Sequence, residues 1–188
     1  MTISEYLLRN SPITSEQATE FESKFVSKTA KSGEYVIKEG EICNKVLFLQ
    51  DGSMSMVYER DNKSFVKDFI FENSFASVYE SFINREPARY SLKAITNCNY
   101  QSISIYELEK AYQTMPLVKA LAAKLTESAY LNVTRRMESL IVLSAEQRYL
   151  ELLERRPKLL SEVPLYIIAS YLGITDVALS RIRKKIVS

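Results

Sequence analysis

The residues best suited to chemistry lie at the C-terminal end of this chain: Arg181, Arg183, Lys184 and Lys185. A guanidinium can donate two hydrogen bonds to guanine O6 and N7, and an ammonium can neutralise a phosphate. The positive charge is concentrated locally, because residues 144–188 carry 8 basic and 5 acidic side chains, whereas the whole chain of 188 residues has a net charge of only +2. This pattern indicates a surface that binds nucleic acid.

The elements that position these side chains can be predicted from the residues just before them. An apolar helical segment over 165–172 precedes Gly173, and a second helix is expected to begin after Thr175. Glycine adopts positive φ in a turn without steric cost, and a threonine hydroxyl is a suitable N-cap. Ala169 allows two helices to cross closely. The residues expected to face the core are Ile174, Leu179 and Ile182. This spacing predicts a helix-turn-helix, whose second helix enters the DNA major groove.

The outward side of the second helix supplies the candidate DNA contacts. Arg181 is the best candidate for reading a base, and Val177 could pack on a thymine methyl group. The other three basic residues are better suited to phosphate contacts, which position the protein without specifying a sequence. The residues predicted to contact DNA are Thr175, Asp176, Val177, Ser180, Arg181, Arg183, Lys184 and Lys185. The alternative is a two-helix hairpin whose basic end is solvated.

Composition disfavours several other classes of function. The absence of histidine removes Ser-His-Asp and Cys-His catalysis and most zinc sites. Cys43 and Cys98 are isolated, so we expect reduced buried thiols, a cytoplasmic protein and no metal site. The sequence contains no run of 18 apolar residues, so we expect no membrane span, and the N-terminus lacks a signal-peptide pattern. Carboxylates such as Glu80 and Glu86 exist, but no phosphate loop or nucleophile elbow accompanies them, so we do not expect an enzyme.

The N-terminal part of the chain changes from helical to β periodicity. Residues 1–30 are predicted to be helical, with Ser15 as a cap. Beyond them, short β-rich runs alternate with turn signals that include Gly33, Gly40 and Gly52. Many short strands at close spacing predict a small antiparallel barrel or roll.

A long helix is predicted after Pro116, over about 117–139. An apolar residue recurs every four positions along it, at Leu121, Leu125, Ala129, Val133 and Met137. We interpret this stripe as the seam of a dimer, in the manner of a two-stranded coiled coil. The alternative is a helix packed on its own domain. Residues 140–143 are predicted to form an apolar linker. A capping box at Ser144 is then expected to begin a helix over 145–155.

The order of these elements resembles that of the Crp/Fnr superfamily of transcription regulators. The motifs that carry the resemblance are KSGEYVIKEGE at 31–41, FLQDGS at 48–53, EPARYS at 86–91, SAEQRYLELL at 144–153 and VPLYIIASYLGIT at 163–175. The last two resemble the branch common in Bacteroidetes. The resemblance implies an α+β fold with an N-terminal double-stranded antiparallel β-roll (jelly-roll-like), a long dimerisation helix and a C-terminal all-α helix-turn-helix domain.

The resemblance also implies boundaries, partners and a location. It divides the chain into a cyclic-nucleotide-binding-like sensor over 1–116, a dimerisation helix and hinge over 117–143, and a DNA-binding domain over 144–188. It implies a cytoplasmic homodimer that binds a palindromic operator in double-stranded DNA, with RNA polymerase as a further partner. An alternative is a roll that senses a ligand or binds a protein and has lost DNA binding.

One segment departs from the family pattern. Members that bind cyclic nucleotides carry a Gly-Glu pair that precedes an Arg by about ten residues, and these contact the ribose and the cyclic phosphate. The corresponding segment here, FASVYESFINREPARYSL at 75–92, contains no glycine. Glu80, Arg89 and Tyr90 remain candidate pocket residues, although Arg89 lies one residue from the family position. We therefore expect no cyclic nucleotide, no haem or iron–sulfur cofactor, and an effector that is unknown or absent.

Overall fold

The computed structural model describes residues 1–61, 63–156 and 159–187. Its strands form two four-stranded antiparallel sheets, ordered β1-β8-β3-β6 and β2-β7-β4-β5. The strands are β1 (Val26–Ala30), β2 (Tyr35–Ile37), β3 (Lys45–Asp51), β4 (Ser53–Arg60), β5 (Lys63–Phe71), β6 (Ser74–Ala76), β7 (Ser91–Ala94) and β8 (Cys98–Ser104). Residues of both sheets share one apolar core, which confirms the predicted β-roll.

Helices precede and follow the strands of the roll. They are α1 (Ile3–Asn10), α2 (Ser15–Glu22), α3 (Tyr79–Asn84), α4 (Ile105–Thr114), α5 (Pro116–Val142), α6 (Ala145–Arg155), α7 (Leu159–Glu162), α8 (Leu165–Leu172) and α9 (Asp176–Val187). The fold is therefore α+β, as the resemblance implies. The capping box predicted at Ser144 is present, because its hydroxyl accepts from the Gln147 N–H and the Gln147 side chain accepts from the Ser144 N–H.

The prediction that residues 1–30 are entirely helical is wrong at both the cap and the end. Thr14, not Ser15, caps α2, because the Thr14 hydroxyl accepts from the Gln17 N–H. The last five of these residues form β1, which pairs with β8 from Val26 opposite Ser102 onward. The strand partner is about 75 positions away, so pairing overrides the local helical pattern.

The long helix α5 contains 27 residues, which corresponds to about 40 Å. Its first turns pack on the roll, where Val118 and Leu121 are buried in the roll core. The predicted apolar linker over 140–143 is mostly helical, because α5 continues to Val142 before α6 begins at Ala145.

A second apolar core joins the C-terminal helices to β5. Val66 and Phe69 of β5 pack with buried residues of the helices, which include Leu152, Ile168 and Leu172. The roll and the C-terminal helices are thus in direct contact through one strand. Among the described residues no single helix is long and apolar enough to cross a membrane; only α8 and α9 taken together reach that length and composition, and they are bent by 98° at their junction.

Candidate nucleic-acid interface

Helices α8 and α9, which we call the terminal helix pair, meet at a turn that glycine makes possible. Gly173 has φ +70° and ends α8 in the left-handed conformation. The Ile174 N–H donates to the Ala169 carbonyl at 3.1 Å, which satisfies an acceptor at the end of α8. Ala169 is fully buried, and the Thr175 hydroxyl accepts from the Ala178 N–H at 3.2 Å. The predicted turn and N-cap are therefore confirmed.

The inner side of the terminal helix pair is anchored in the second core. Leu179 is buried, and Ile174 and Ile182 are partly buried against the same cluster, as predicted. This anchoring leaves the opposite side of α9 free of packing. The orientation of its outward side chains is consequently fixed by the apolar positions of the same helix.

The outer face of α9 presents the predicted contact residues to solvent. Val177 is 62% exposed, and Arg181 and Lys184 follow it four and seven positions later on the same side of the helix. The other exposed residues of the predicted set are Thr175, Asp176, Ser180 and Lys185. Arg183, by contrast, is partly buried. The structure therefore places most of the predicted set on an open surface.

Lys185 is exposed but does not point to solvent alone. Its ammonium lies 2.7 Å from a carboxylate oxygen of Glu146 on α6. Asp176 lies in the first turn of α9 and Lys184 and Lys185 lie in its last turn, so each charge complements the helix dipole.

Two arginines that position the terminal helix pair were missed by the sequence analysis. Arg148 of α6 donates to the Leu172 carbonyl at 3.1 Å and to the Leu143 carbonyl at 2.7 Å. Arg136 of α5 donates to the Tyr171 carbonyl and stacks on the Tyr171 ring, with 3.5 Å between the guanidinium carbon and the ring centroid. Cations at a helix C-terminus are stabilising. No local signal marks these contacts, because the partners are 24 and 35 positions away along the chain.

The predicted seam residues divide into two groups. Leu121 lies in the core of its own roll and Leu125 packs partly against that core, whereas Val133 and Met137 are 58% and 56% exposed. Ala129, between the two groups, is exposed. A four-residue step advances a helix by about 400°, so the row from Leu121 to Met137 winds about 160° around α5. Leu121 is therefore a core residue of its own protomer and not an open seam position.

Other exposed apolar residues complete a straighter stripe on the second half of α5. Tyr130, Val133, Met137 and Leu140 are separated by three, four and three residues, and all are exposed. This 3-4 alternation averages 3.5 residues and stays on one side of a helix. Leu131, Ile141 and Val142 are also exposed and flank the stripe.

A small pocket of about 160 Å³ lies beside α3. Its lining residues are Glu80, Ser81, Asn84, Glu86, Pro87 and Arg89. Two of the three predicted pocket residues therefore line it. Tyr90 does not line the pocket and is buried within the roll, with 2% of its surface exposed. The Tyr90 ring lies 5.4 Å from the Tyr58 ring and beneath the Lys67 ammonium at 4.1 Å, and burial raises its pKa.

Comparison with known proteins places this geometry in a family context. Residues 27–115 match the family model of the cyclic nucleotide-binding domain. The c-di-GMP responsive global regulator CLP from Xanthomonas campestris is similar at TM-score 0.75 and 20% identity, covering 92% of this chain and 91% of its own. FixK2 from Bradyrhizobium japonicum gives 0.71 and 17%, covering 86% and 83%. A regulator of the Crp/Fnr family from Eubacterium rectale gives 0.72 and 13%, covering 96% and 87%. No curated protein matches the sequence.

The chain has the Crp/Fnr regulator fold. Its roll matches the cyclic nucleotide-binding domain over residues 27–115, and the fold of the whole chain is similar to that of these regulators. The pocket beside α3, at about 160 Å³, is smaller than the roughly 300 Å³ typical of ligand pockets. Two carboxylates, Glu80 and Glu86, accompany the single guanidinium of Arg89, so an anionic phosphate would meet net negative charge.

Proposed function

We propose that this protein is a sequence-specific DNA-binding transcription regulator that acts as a cytoplasmic homodimer without a cyclic nucleotide effector. The observation that carries the proposal is the open outer face of α9, on which Val177, Arg181 and Lys184 are exposed while the inner face is anchored. The 98° bend between α8 and α9 supports the assignment of the terminal helix pair as a helix-turn-helix, in which helices meet at about 90–120°.

Each exposed side chain of α9 suits a different contact in a major groove. Arg181 can donate two hydrogen bonds to one guanine, and Val177 can pack on a thymine methyl group. Asp176 lies at the N-terminal end of α9, which is the end that contacts base edges in this motif, and its carboxylate can accept from cytosine N4. Lys184 and Arg183 are suited to phosphates on the flanking backbone.

A second copy of the chain is the proposed occupant of the exposed stripe on α5. Burial of Tyr130, Val133, Met137 and Leu140 against the same residues of a partner would remove a continuous apolar surface from water. Such a two-fold interface presents two α9 helices to successive major grooves, about 34 Å apart. A two-fold protein dimer should prefer a palindromic operator. RNA polymerase remains a proposed partner of the regulator.

The test is selection of bound duplexes from a random pool, followed by affinity measurements over a range of salt. We expect a palindromic consensus and a log affinity that falls linearly with log salt, by about 0.9 for each phosphate neutralised. Arg181→Ala should relax the preference at one base pair of each half-site, and Arg9→Ala, which removes an exposed arginine from α1, should not. Failure of the folded dimer to bind any duplex at low salt would favour the alternative of a roll that has lost DNA binding.

A further inference from the structure

A hydroxyl of the terminal helix pair hydrogen-bonds to backbone groups on the unpaired edge of β5. Ser170 of α8 accepts from the Val66 N–H at 3.0 Å and donates to the Ser64 carbonyl at 2.7 Å. Strand β5 is last in its sheet, so within the described residues its outer N–H and carbonyl groups have no strand beside them. Residues two apart present these groups to the same side of a strand. The Ser170 side chain therefore takes the place of a strand partner, and the helix covers the edge.

A stack of aromatic rings and guanidinium groups crosses the same contact. The Tyr171 ring contacts both the Arg136 guanidinium, at 3.5 Å, and the Phe69 ring of β5, at 4.9 Å. Phe69 lies 6.1 Å from Phe71, and the Arg156 guanidinium lies 5.2 Å from the Phe71 ring. These contacts thus connect α5, α8, β5 and the residue that follows α6. Both cation–π contacts and aromatic pairs of this geometry are stabilising.

This contact does not cover the surface that would read DNA. Val177 and Arg181 are exposed while Ser170 and Tyr171 contact β5. The docked arrangement is therefore compatible with access of a duplex to α9. A contact with two fixed hydrogen bonds and a stacked arginine restricts the rotation of α9 relative to both the roll and α5.

We infer that Ser170 and Arg136 are positioning residues that lock the terminal helix pair onto the edge of β5, and that this lock sets the half-site spacing the dimer accepts. The inference about spacing rests on the proposed function, whereas the lock itself is a property of the protein without DNA. If the terminal helix pair of each protomer is fixed, the dimer has one distance between its two α9 helices. If the lock is removed, each terminal helix pair can rotate, and several spacings should be accepted with unchanged base preference.

The lock is tested first without DNA. Spin labels at the exposed positions Ser27→Cys on β1 and Ser180→Cys on α9 report the distance between the roll and the terminal helix pair. The labelled protein is diluted with unlabelled chain so that the distance is measured within one protomer. We expect a narrow distribution that broadens in Ser170→Ala and in Arg136→Gln. The matched controls are Ser23→Ala, whose hydroxyl donates to the nearby Glu20 carbonyl of α2, and Arg135→Gln, whose guanidinium donates to the Asn132 side chain on the same helix. Equal widths in all variants would overturn the lock.

The second test measures affinity for operators in which one base pair is inserted between, or deleted from between, the selected half-sites. The wild type should lose affinity by at least about tenfold on either change, as expected when one set of base contacts is displaced. Ser170→Ala and Arg136→Gln should lose much less, while their preference for each base within a half-site is retained. Broad distance distributions with wild-type spacing dependence would refute the positioning role. Absence of DNA binding would refute the proposed function, and the distance measurement would still decide the lock.

Discussion

The ammonium of Lys185 lies 2.7 Å from the Glu146 carboxylate, and Lys184, its neighbour in the sequence, is exposed on the same side of α9 as Val177 and Arg181. Adjacent residues of a helix point in directions about 100° apart, so Lys184 does not share the direction that brings Lys185 to α6. The two lysines, which are equivalent in the sequence, should therefore contribute differently to DNA binding. Lys185 holds α9 against α6, and Lys184 can contact a phosphate.

The contrast predicts different salt dependences for two alanine variants. Lys184→Ala should lower the slope of log affinity against log salt by about 0.9 per protomer, because one phosphate contact is lost. Lys185→Ala should change the slope less and should lower the free energy of unfolding by no more than about 1 kcal/mol, the usual limit for an exposed ion pair. Fluorescence anisotropy at several salt concentrations and urea unfolding measure the two quantities. Equal slopes in both variants would contradict the assignment.

Substitutions at three glycines with positive φ distinguish the cost of backbone strain from the cost of steric crowding. At Gly33 a Cβ would meet nothing within 4 Å, and at Gly173 it would meet only Leu140 Cδ2 at 4.0 Å, whereas at Gly52 it would lie 2.4 Å from the Asn97 carbonyl oxygen. Gly33→Ala and Gly173→Ala should each cost about 1–2 kcal/mol, the penalty of the left-handed conformation. Gly52→Ala should cost considerably more, because the backbone must also move. Urea unfolding of the three variants tests this order, and a cost for Gly52→Ala similar to the other two would contradict it.

The parts of the fold that sequence predicted correctly depend on neighbours close along the chain. Gly173 and Thr175 each act on groups within four positions, and the capping box at Ser144 spans three. The periodicity of α6 and the turns of the roll are local in the same sense. The predictions at Gly173, Thr175 and Ser144 were confirmed because the groups involved lie close together along the chain.

The parts that were missed depend on contacts between distant positions. Ser170 lies 104 positions from Val66, and Arg136 lies 35 positions from Tyr171. In the sequence each is a polar residue within an ordinary helix. The error at Leu121 has a different cause, because a repeat of exactly four residues was interpreted as one face although it winds around the helix. A repeat of 3.5 identifies the exposed face.

The two halves of α5 should respond differently to substitution. Leu121→Ala removes a buried side chain from the roll core and should lower the free energy of unfolding by about 2–5 kcal/mol. It does not change the exposed stripe of α5. Met137→Glu introduces a charge on the exposed stripe and should separate the proposed dimer while the roll stays folded. Sedimentation equilibrium and circular dichroism measure the two effects. A Met137→Glu protein that dimerises as tightly as the wild type would place the seam elsewhere.

The roll should not be stabilised by cyclic nucleotides. A ligand at one hundred times its dissociation constant adds about 2.7 kcal/mol to the stability of the folded state. We expect no rise in Tm with cAMP, cGMP or c-di-GMP at millimolar concentration, because the pocket is small and carries two carboxylates beside Arg89. Differential scanning fluorimetry with an extrinsic dye measures Tm. A rise that is abolished by Arg89→Ala would contradict the expectation.

Alkaline titration should report the tyrosines whose pKa is raised by burial, since the chain has 12 tyrosines and no tryptophan. Burial raises the pKa of six of them: Tyr6, Tyr58, Tyr90, Tyr100, Tyr112 and Tyr171. An unfolded tyrosine has a pKa of about 10. A pKa that is raised in the folded state means that the neutral phenol stabilises the fold. That stabilisation is complete below pH 10 and is lost as the pH rises toward the folded pKa.

Part of the rise in tyrosinate absorbance should therefore be delayed until the protein unfolds. That part should coincide with the loss of circular dichroism. Tyr90→Phe removes a buried ionisable group and should move alkaline unfolding to higher pH. Tyr130→Phe, which changes a ring that is 70% exposed, should leave the midpoint unchanged. A single stage of ionisation that precedes unfolding, with the two variants alike, would show that the ring of Tyr90 is accessible to solvent.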